Sequence, residues 1–150
     1  MPDVTAQKEA MKKLSFLAGT WTGPATAYLP TGPVKLTQTE EVEYRLNGLV
    51  MLVQGTGRMP DGEVRFSALA TISYDDAAKV YRFRSHSDGH FLDTELKVMD
   101  RGFEWARPAG PGKVAFRMTL NEKGQWSETG EFVMPGRPPQ KSVELLVTKR

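Results

Sequence analysis

Two glutamates, Glu40 and Glu128, occupy positions where strand alternation turns their carboxylates toward apolar residues. A two-residue hairpin turn at Asn47-Gly48 would set Glu40 opposite Gly55, and the pairing of two later strands would set Glu128 beside Met118. A carboxylate removed from water has a raised pKa and can act as a general acid or base. The two glutamates therefore indicate either acid–base chemistry on a bound molecule or a structural role, in which each carboxylate hydrogen-bonds to an arginine or a water.

Two histidines, His86 and His90, have a spacing that could suit a metal ion. A two-residue turn at Asp88-Gly89 pairs Arg84 with Asp93 and puts the histidines on opposite faces of one hairpin, so we predict no metal site. No glycine-rich stretch follows a strand and opens a helix, and no Ser-His-Asp arrangement is evident. The sequence therefore predicts neither a phosphate-binding loop nor a catalytic triad.

Turn residues recur about every ten positions from Gly19 onward, as in Pro60-Asp61-Gly62 and Asp100-Arg101-Gly102. This spacing is typical of an all-β meander of antiparallel strands. The preceding segment, residues 5–17, has its apolar residues near one helical face and predicts a short helix. We expect the 150 residues to form a single domain. It would comprise that N-terminal helix and an antiparallel up-and-down β-barrel of about ten strands over about residues 19–149.

Strand pairing across the first hairpin predicts which side chains face the interior of the barrel. The Asn47-Gly48 turn would pair Leu46 with Leu49 and, further along, Gln38 with Gly57. Because glycine has no side chain, a polar side chain paired with a glycine leaves space in the interior that a bound molecule could occupy. The pattern therefore predicts a barrel with a cavity instead of a solid core.

The run from Phe16 to Gly23, Phe-Leu-Ala-Gly-Thr-Trp-Thr-Gly, opens the first predicted strand directly after the helix. This start, the glycine-punctuated meander and the basic end from Val147 to Arg150 resemble a bacterial family of unknown function in the calycin superfamily, with lipocalin-like and nitrobindin-like barrels. The resemblance covers essentially the whole chain and carries over no catalytic residue. Nitrobindins bind haem through a histidine near the last strands. Because no histidine follows His90 here, we predict no haem and no other cofactor.

Charge, apolar runs and cysteine content indicate which partners and which cellular location to expect. Twenty basic and eighteen acidic residues leave a net charge of +2, spread without a Lys/Arg block, which argues against a nucleic-acid partner. No apolar run approaches the roughly 20 residues needed to cross a bilayer, and no secretory signal is visible. The chain has no cysteine, which is compatible with a reducing compartment. We expect a cytoplasmic protein that does not insert into membranes; its oligomeric state stays open, with a homodimer as one option.

The first functional prediction is the binding of a small apolar or amphipathic molecule in the barrel lumen. The predicted lining consists of inward-facing aromatic, polar and acidic side chains: Trp21, Gln38, Glu40, Tyr44, Phe66, Tyr81, Phe83, Phe116, Met118 and Glu128. One alternative is a small-molecule enzyme that uses Glu40 or Glu128 as general acid/base. Another is a structural or regulatory protein whose barrel is filled by its own side chains.

Overall fold

Ten antiparallel strands close into a barrel behind one short N-terminal helix. The computed structural model describes residues 1–150. The helix α1 spans Val4–Lys12, a 3-10 turn spans Ser15–Leu17, and the strands are β1 (Gly19–Leu29), β2 (Gly32–Arg45), β3 (Val50–Arg58), β4 (Val64–Asp75), β5 (Val80–Ser87), β6 (His90–Met99), β7 (Gly102–Ala109), β8 (Gly112–Leu120), β9 (Trp126–Val133) and β10 (Gln140–Lys149).

Each strand pairs with its neighbours in the sequence, and β1 pairs with β10 to close the ring. This confirms the predicted all-β, ten-stranded, antiparallel up-and-down barrel with one short helix. No helix has the length and hydropathy that a membrane-spanning helix requires.

The predicted hairpin registers are present in the barrel. Three of them decide what faces the interior: Glu40 pairs with Gly55, Arg84 with Asp93, and Met118 with Glu128. Because side chains alternate along a strand, each confirmed pair also assigns all the remaining residues of its ladder to the inner or the outer face.

The first hairpin turn differs in length from the prediction. Arg45 and Val50 form the last pair of the ladder, and the chain from Leu46 to Leu49 forms the loop. Leu46 and Asn47 have φ angles of 51° and 56°, and the Leu46 side chain is 70% exposed. The predicted pair between Leu46 and Leu49 is therefore wrong. The register is still the predicted one, because the loop is longer than the predicted two-residue turn by one residue on each side.

The helix is shorter than the predicted residues 5–17. It begins after Asp3, whose side chain accepts a hydrogen bond from the Ala6 amide, as N-cap residues do. It ends at Lys12 because the hydrogen bonds then span three residues instead of four: the Leu14 amide donates to the Met11 carbonyl at 3.1 Å. The change of direction turns Leu14 into the barrel.

The helix and the 3-10 turn plug one end of the barrel, which we call the closed end. Met11, Leu14 and Leu17 are 0%, 0% and 1% exposed and pack in one cluster with Trp21 and Trp126. The Trp21 indole nitrogen donates to the Leu17 carbonyl at 2.9 Å. The opposite end, where β1 meets β2 and β3 meets β4, has no such cover; we call it the open end.

Two tyrosines hold the C-terminal end of the helix on the barrel. The hydroxyl of Tyr44 donates to the Met11 carbonyl and that of Tyr81 to the Ala10 carbonyl, both at 2.7 Å. These carbonyls belong to the last turn of the helix, where acceptors lack a regular intrahelical partner. The tyrosines therefore satisfy acceptors that the helix leaves only partly used.

Replacing either tyrosine by phenylalanine is expected to lower the free energy of unfolding by about 1 kcal/mol, because the ring packing stays and one half-buried hydrogen bond is lost. Urea unfolding of Tyr44→Phe and Tyr81→Phe measures the loss. Tyr74→Phe is the matched control, since Tyr74 packs against Tyr81 with ring centroids 4.9 Å apart and does not bond to the helix. Equal effects of all three substitutions would contradict the anchoring role.

Candidate functional site

Glu40 lies on the inner face of β2, between Trp21 of β1 and Gly55 of β3. Only 8% of the residue is exposed. The Oε1 atom accepts a hydrogen bond from Nε2 of Gln38 at 3.1 Å. A Cβ at Gly55 would lie 2.8 Å from Oε2 of Glu40, so the carboxylate lies flat over this glycine.

One inward position nearer the open end, a second polar side chain of β2 lies over a second glycine of β3. A Cβ at Gly57 would lie 3.0 Å from Oε1 of Gln38, and Gln38 is 4% exposed. The hairpin pattern predicts room for another group beside these glycines. The structure fills this space with the side chains of Gln38 and Glu40 themselves.

Glu128 lies on the inner face of β9, between Met118 of β8 and Leu145 of β10. Its Oε1 atom accepts a hydrogen bond from the Trp126 indole nitrogen at 2.9 Å. The residue is half-buried. Glu40 and Glu128 both sit one inward position beyond the closed-end cluster, so together they form a layer that we call the lumen floor.

Burial dominates the electrostatics of the lumen floor. The pKa of Glu40 is raised to about 8, mainly by desolvation and also by the nearby charge of Glu128, while the Gln38 hydrogen bond opposes the rise. Desolvation also raises the pKa of Glu128 to about 7, opposed by the Trp126 hydrogen bond. Neither carboxylate takes part in an ion pair. Both groups can therefore gain or lose a proton near neutral pH.

Each carboxylate of the lumen floor keeps one oxygen free. Oε2 of Glu40 and Oε2 of Glu128 have no hydrogen-bond partner, whereas every fully buried side-chain nitrogen or oxygen in the chain has one. The two free oxygens therefore each retain some accessible surface, which is small for Glu40, since 8% of that residue is exposed. Because both side chains point inward, that surface faces the interior of the barrel.

Aromatic rings line the wall above the lumen floor. The rings of Phe83 and Trp105 lie 4.5 Å apart, and Trp105 stacks on Phe116 at 4.2 Å with an interplanar angle of 10°. The Phe116 ring covers Gly130, where a Cβ would lie 2.7 Å from Cε1 of the ring. The sequence prediction missed Trp105. Its position opposite Phe116 in the β7/β8 ladder is the signal that identifies it.

The structure divides the ten predicted lining residues among several levels of the barrel. Gln38, Glu40 and Glu128 form or adjoin the lumen floor, and Phe116 lies on the wall just above it. The remaining six lie elsewhere: Trp21 and Met118 belong to the closed-end cluster, Phe83 packs between that cluster and Trp105, Tyr44 and Tyr81 bond to the helix, and Phe66 lies at the open end with 36% of its surface exposed.

The barrel wall has a gap between β6 and β7. Their ladder contains three pairs, from Lys97 with Glu104 to Met99 with Gly102, although both strands continue toward the open end. A cleft of about 480 Å³ lies at this gap, and its lining includes Trp105. A smaller cleft of about 270 Å³ lies beside the β5/β6 turn. Neither cleft contains Glu40 or Glu128.

The histidines lie apart, as the turn at Asp88-Gly89 predicts. His86 pairs with Phe91 and His90 pairs with Ser87, so the two imidazoles occupy opposite faces of the hairpin. Nowhere in the chain do three or more His, Asp or Glu side chains converge in a way that could hold a metal ion.

No protein-family model and no curated protein matches the chain. Among solved structures, the crystal structure of Rv2717c from M. tuberculosis is similar, with a TM-score of 0.69 over 94% of this chain and 97% of the other. The two sequences are 14% identical. At this identity the similarity shows a shared fold, the ten-stranded antiparallel barrel.

Proposed function

We propose that the protein is a calycin-like binding protein that takes one small apolar or amphipathic molecule into the lumen between its floor and the open end. The observation that carries this proposal is the pair of free carboxylate oxygens on Glu40 and Glu128, which face accessible space inside the barrel. A filled barrel would instead cover these atoms or pair them.

The chemistry of the lumen suits an amphipathic guest. Ligand sites combine apolar and aromatic walls with a few placed polar groups. Here Trp105 and Phe116 offer flat apolar surface, and Gln38, Glu40 and Glu128 offer polar atoms below it. Of the ten residues predicted from sequence, our proposal keeps Gln38, Glu40, Phe116 and Glu128 as ligand contacts. It assigns Trp21, Tyr44, Tyr81, Phe83 and Met118 to the support of the closed end, and Phe66 to the rim.

A substitution that fills the lumen tests this proposal. Ser85 faces the interior, and it pairs with Ala70 and Leu92 one inward position beyond Phe83. We expect Ser85→Phe to weaken the binding of the neutral fluorescent probe N-phenyl-1-naphthylamine at least tenfold, because the new ring occupies the space of the ligand. The measurement is a fluorescence titration at fixed protein concentration.

The matched control introduces the same ring on the other face of the same strand. His86 is exposed on the outer face of β5, so His86→Phe should leave probe affinity unchanged. Thermal melts of both variants establish that each is folded. Equal probe affinity in the two variants, or no saturable probe binding by the unmodified protein, would overturn lumen binding.

The second candidate is an enzyme, and the raised pKa values favour it. A general acid or base works best when its pKa lies near the working pH, and the pKa values of Glu40 and Glu128 are about 8 and 7. Native mass spectrometry of protein purified from its own host separates the candidates. A binding protein releases the retained molecule unchanged on repeated exchange, whereas an enzyme converts it.

A further inference from the structure

The lumen floor points to a particular chemical class of guest. We infer that the bound molecule carries a primary ammonium group, which is held head-down by Glu40 and Glu128, with its apolar part directed toward the open end. This inference rests on the proposed lumen binding and specifies the ligand of that same site.

The first argument is the absence of a cation beside the two carboxylates. The inward positions that flank them on the neighbouring strands are uncharged: Trp21 and Gly23 on β1, Gly55 on β3, Phe116 and Met118 on β8, and Leu145 on β10. Buried carboxylates are normally paired. A cationic guest would supply the partner that the chain itself does not.

The other charged or titratable side chains of the inner face lie at the two ends of the barrel. Lys149 is exposed at the closed end, where its Nζ atom lies 4.9 Å above the Trp21 ring. Tyr44, Tyr74 and Tyr81 line the same end. His90 and Arg107 are exposed toward the open end. An anionic guest at the lumen floor would therefore face two acidic groups and no adjacent base.

The second argument is the number of free acceptors. Besides Oε2 of Glu40 and Oε2 of Glu128, the amide oxygen of Gln38 has no hydrogen-bond partner. A primary ammonium has three N–H donors and no acceptor, so it matches these three acceptors once both carboxyl groups are ionised; below about pH 8 its binding therefore displaces a proton from the lumen floor. A hydroxyl has one donor, and a quaternary ammonium has none. Hydrogen bonds between an ammonium and a carboxylate are also stronger than neutral ones.

The third argument is the vertical arrangement of the lumen. Polar atoms lie at its floor, next to the closed-end cluster, and the stacked rings of Trp105 and Phe116 lie above them on the wall. A molecule with one charged end and one apolar body fits this order in a single orientation. A molecule with charges at both ends would place one of them against the aromatic wall.

Three probes of equal chain length test the inference: octylamine, 1-octanol and octanoate, each used to displace N-phenyl-1-naphthylamine from the unmodified protein. We expect octylamine to displace the probe at a concentration at least tenfold lower than 1-octanol, and octanoate to require the highest concentration. Octyltrimethylammonium, which keeps the charge and lacks N–H donors, should fall behind octylamine by at least fivefold.

Two pairs of variants locate the effect. Glu40→Gln and Glu128→Gln should each reduce the preference for octylamine over 1-octanol about tenfold, because each removes one of the two negative charges that hold the ammonium. Glu41→Gln and Glu131→Gln, which change exposed glutamates on the outer faces of the same strands, should leave the preference unchanged. If one inner variant does not fold, the other still decides the result.

The outcomes separate the inference from the proposed function. If 1-octanol or octanoate displaces the probe as well as octylamine, the ammonium inference is wrong and lumen binding stands. If octylamine is preferred equally in the inner and outer variants, the amine binds elsewhere and the inference is also wrong. If no compound displaces the probe, the ammonium inference is wrong and lumen binding is still decided by Ser85→Phe. If Ser85→Phe leaves all affinities unchanged, lumen binding fails and the inference fails with it.

Discussion

The free energy of unfolding is expected to fall by about 4 kcal/mol between pH 5 and pH 9 on account of Glu40 alone. Its pKa rises from an ordinary value of 4.5 to about 8 in the folded protein. Above about pH 8 the folded protein loses the Glu40 proton as well, whereas between about pH 5 and pH 8 the unfolded chain has lost this proton and the folded protein still holds it. Folding must then take up a proton, which becomes more costly as the pH rises.

The direction of the effect distinguishes the lumen floor from the surface. Glu128 acts in the same sense, because its pKa is also raised. The pKa values of Asp75, Asp76 and Glu144 are lowered by their hydrogen bonds, so their stabilisation is lost only as the pH falls below about 4. These surface groups therefore do not titrate between pH 5 and pH 9.

Urea unfolding of Glu40→Gln at pH 5 and pH 9 provides the measurement. The amide keeps the volume and cannot ionise, so we expect this variant to lose the part of the pH dependence that Glu40 contributes, to keep the part that Glu128 contributes, and to exceed the unmodified protein in stability at pH 9. Glu41→Gln, on the outer face of the same strand, should keep the full dependence. A stability that stays level or increases from pH 5 to pH 9 would show that the Glu40 carboxylate is solvated.

Gly23→Ala is expected to lower the free energy of unfolding by about 3 kcal/mol. A Cβ at this position would lie 2.2 Å from the carbonyl oxygen of Leu146 and 3.0 Å from the Val147 Cα atom. Both are main-chain atoms of β10, and they cannot rotate away as the end of a side chain can. The methyl group would therefore push apart the two strands whose pairing closes the barrel.

Gly57→Ala is the matched control, because its nearest neighbour would be the side-chain oxygen of Gln38 at 3.0 Å, which can move. We expect Gly57→Ala to cost less than about 1 kcal/mol in urea unfolding. Similar losses for the two substitutions would mean that the β1/β10 contact yields as easily as a side chain does.

The face of each inward residue was predictable from sequence, but its level along the barrel axis was not. Turn residues such as Asn47-Gly48 and Asp88-Gly89 set the hairpin registers, and alternation then assigns inside and outside. The level depends on the stagger summed around the ring, including the β1/β10 closure, which no local turn encodes. For this reason Tyr44 and Glu40 were predicted in one lining, although Tyr44 contacts the helix and Glu40 lies at the lumen floor.

The occupants of the lumen were the least predictable part. Register shows that Glu40 faces Gly55 but does not reveal that the carboxylate folds over the glycine, because the side-chain rotamer depends on all surrounding strands. Trp105 was missed because β7 forms only a short ladder with β6, so its inward face had to be inferred from β8 alone. The helix end was missed because tyrosines distant in sequence bind its last carbonyls.

The short ladder between β6 and β7 makes this strand pair the easiest in the barrel to separate. A ring of strands separates first where the fewest hydrogen bonds hold it, and only three residue pairs join these two strands. Thermal motion can therefore widen this seam while the helix stays docked at the closed end. Trp105 borders the seam, so widening there would connect the aromatic wall to solvent and shorten the path of a small molecule into or out of the barrel.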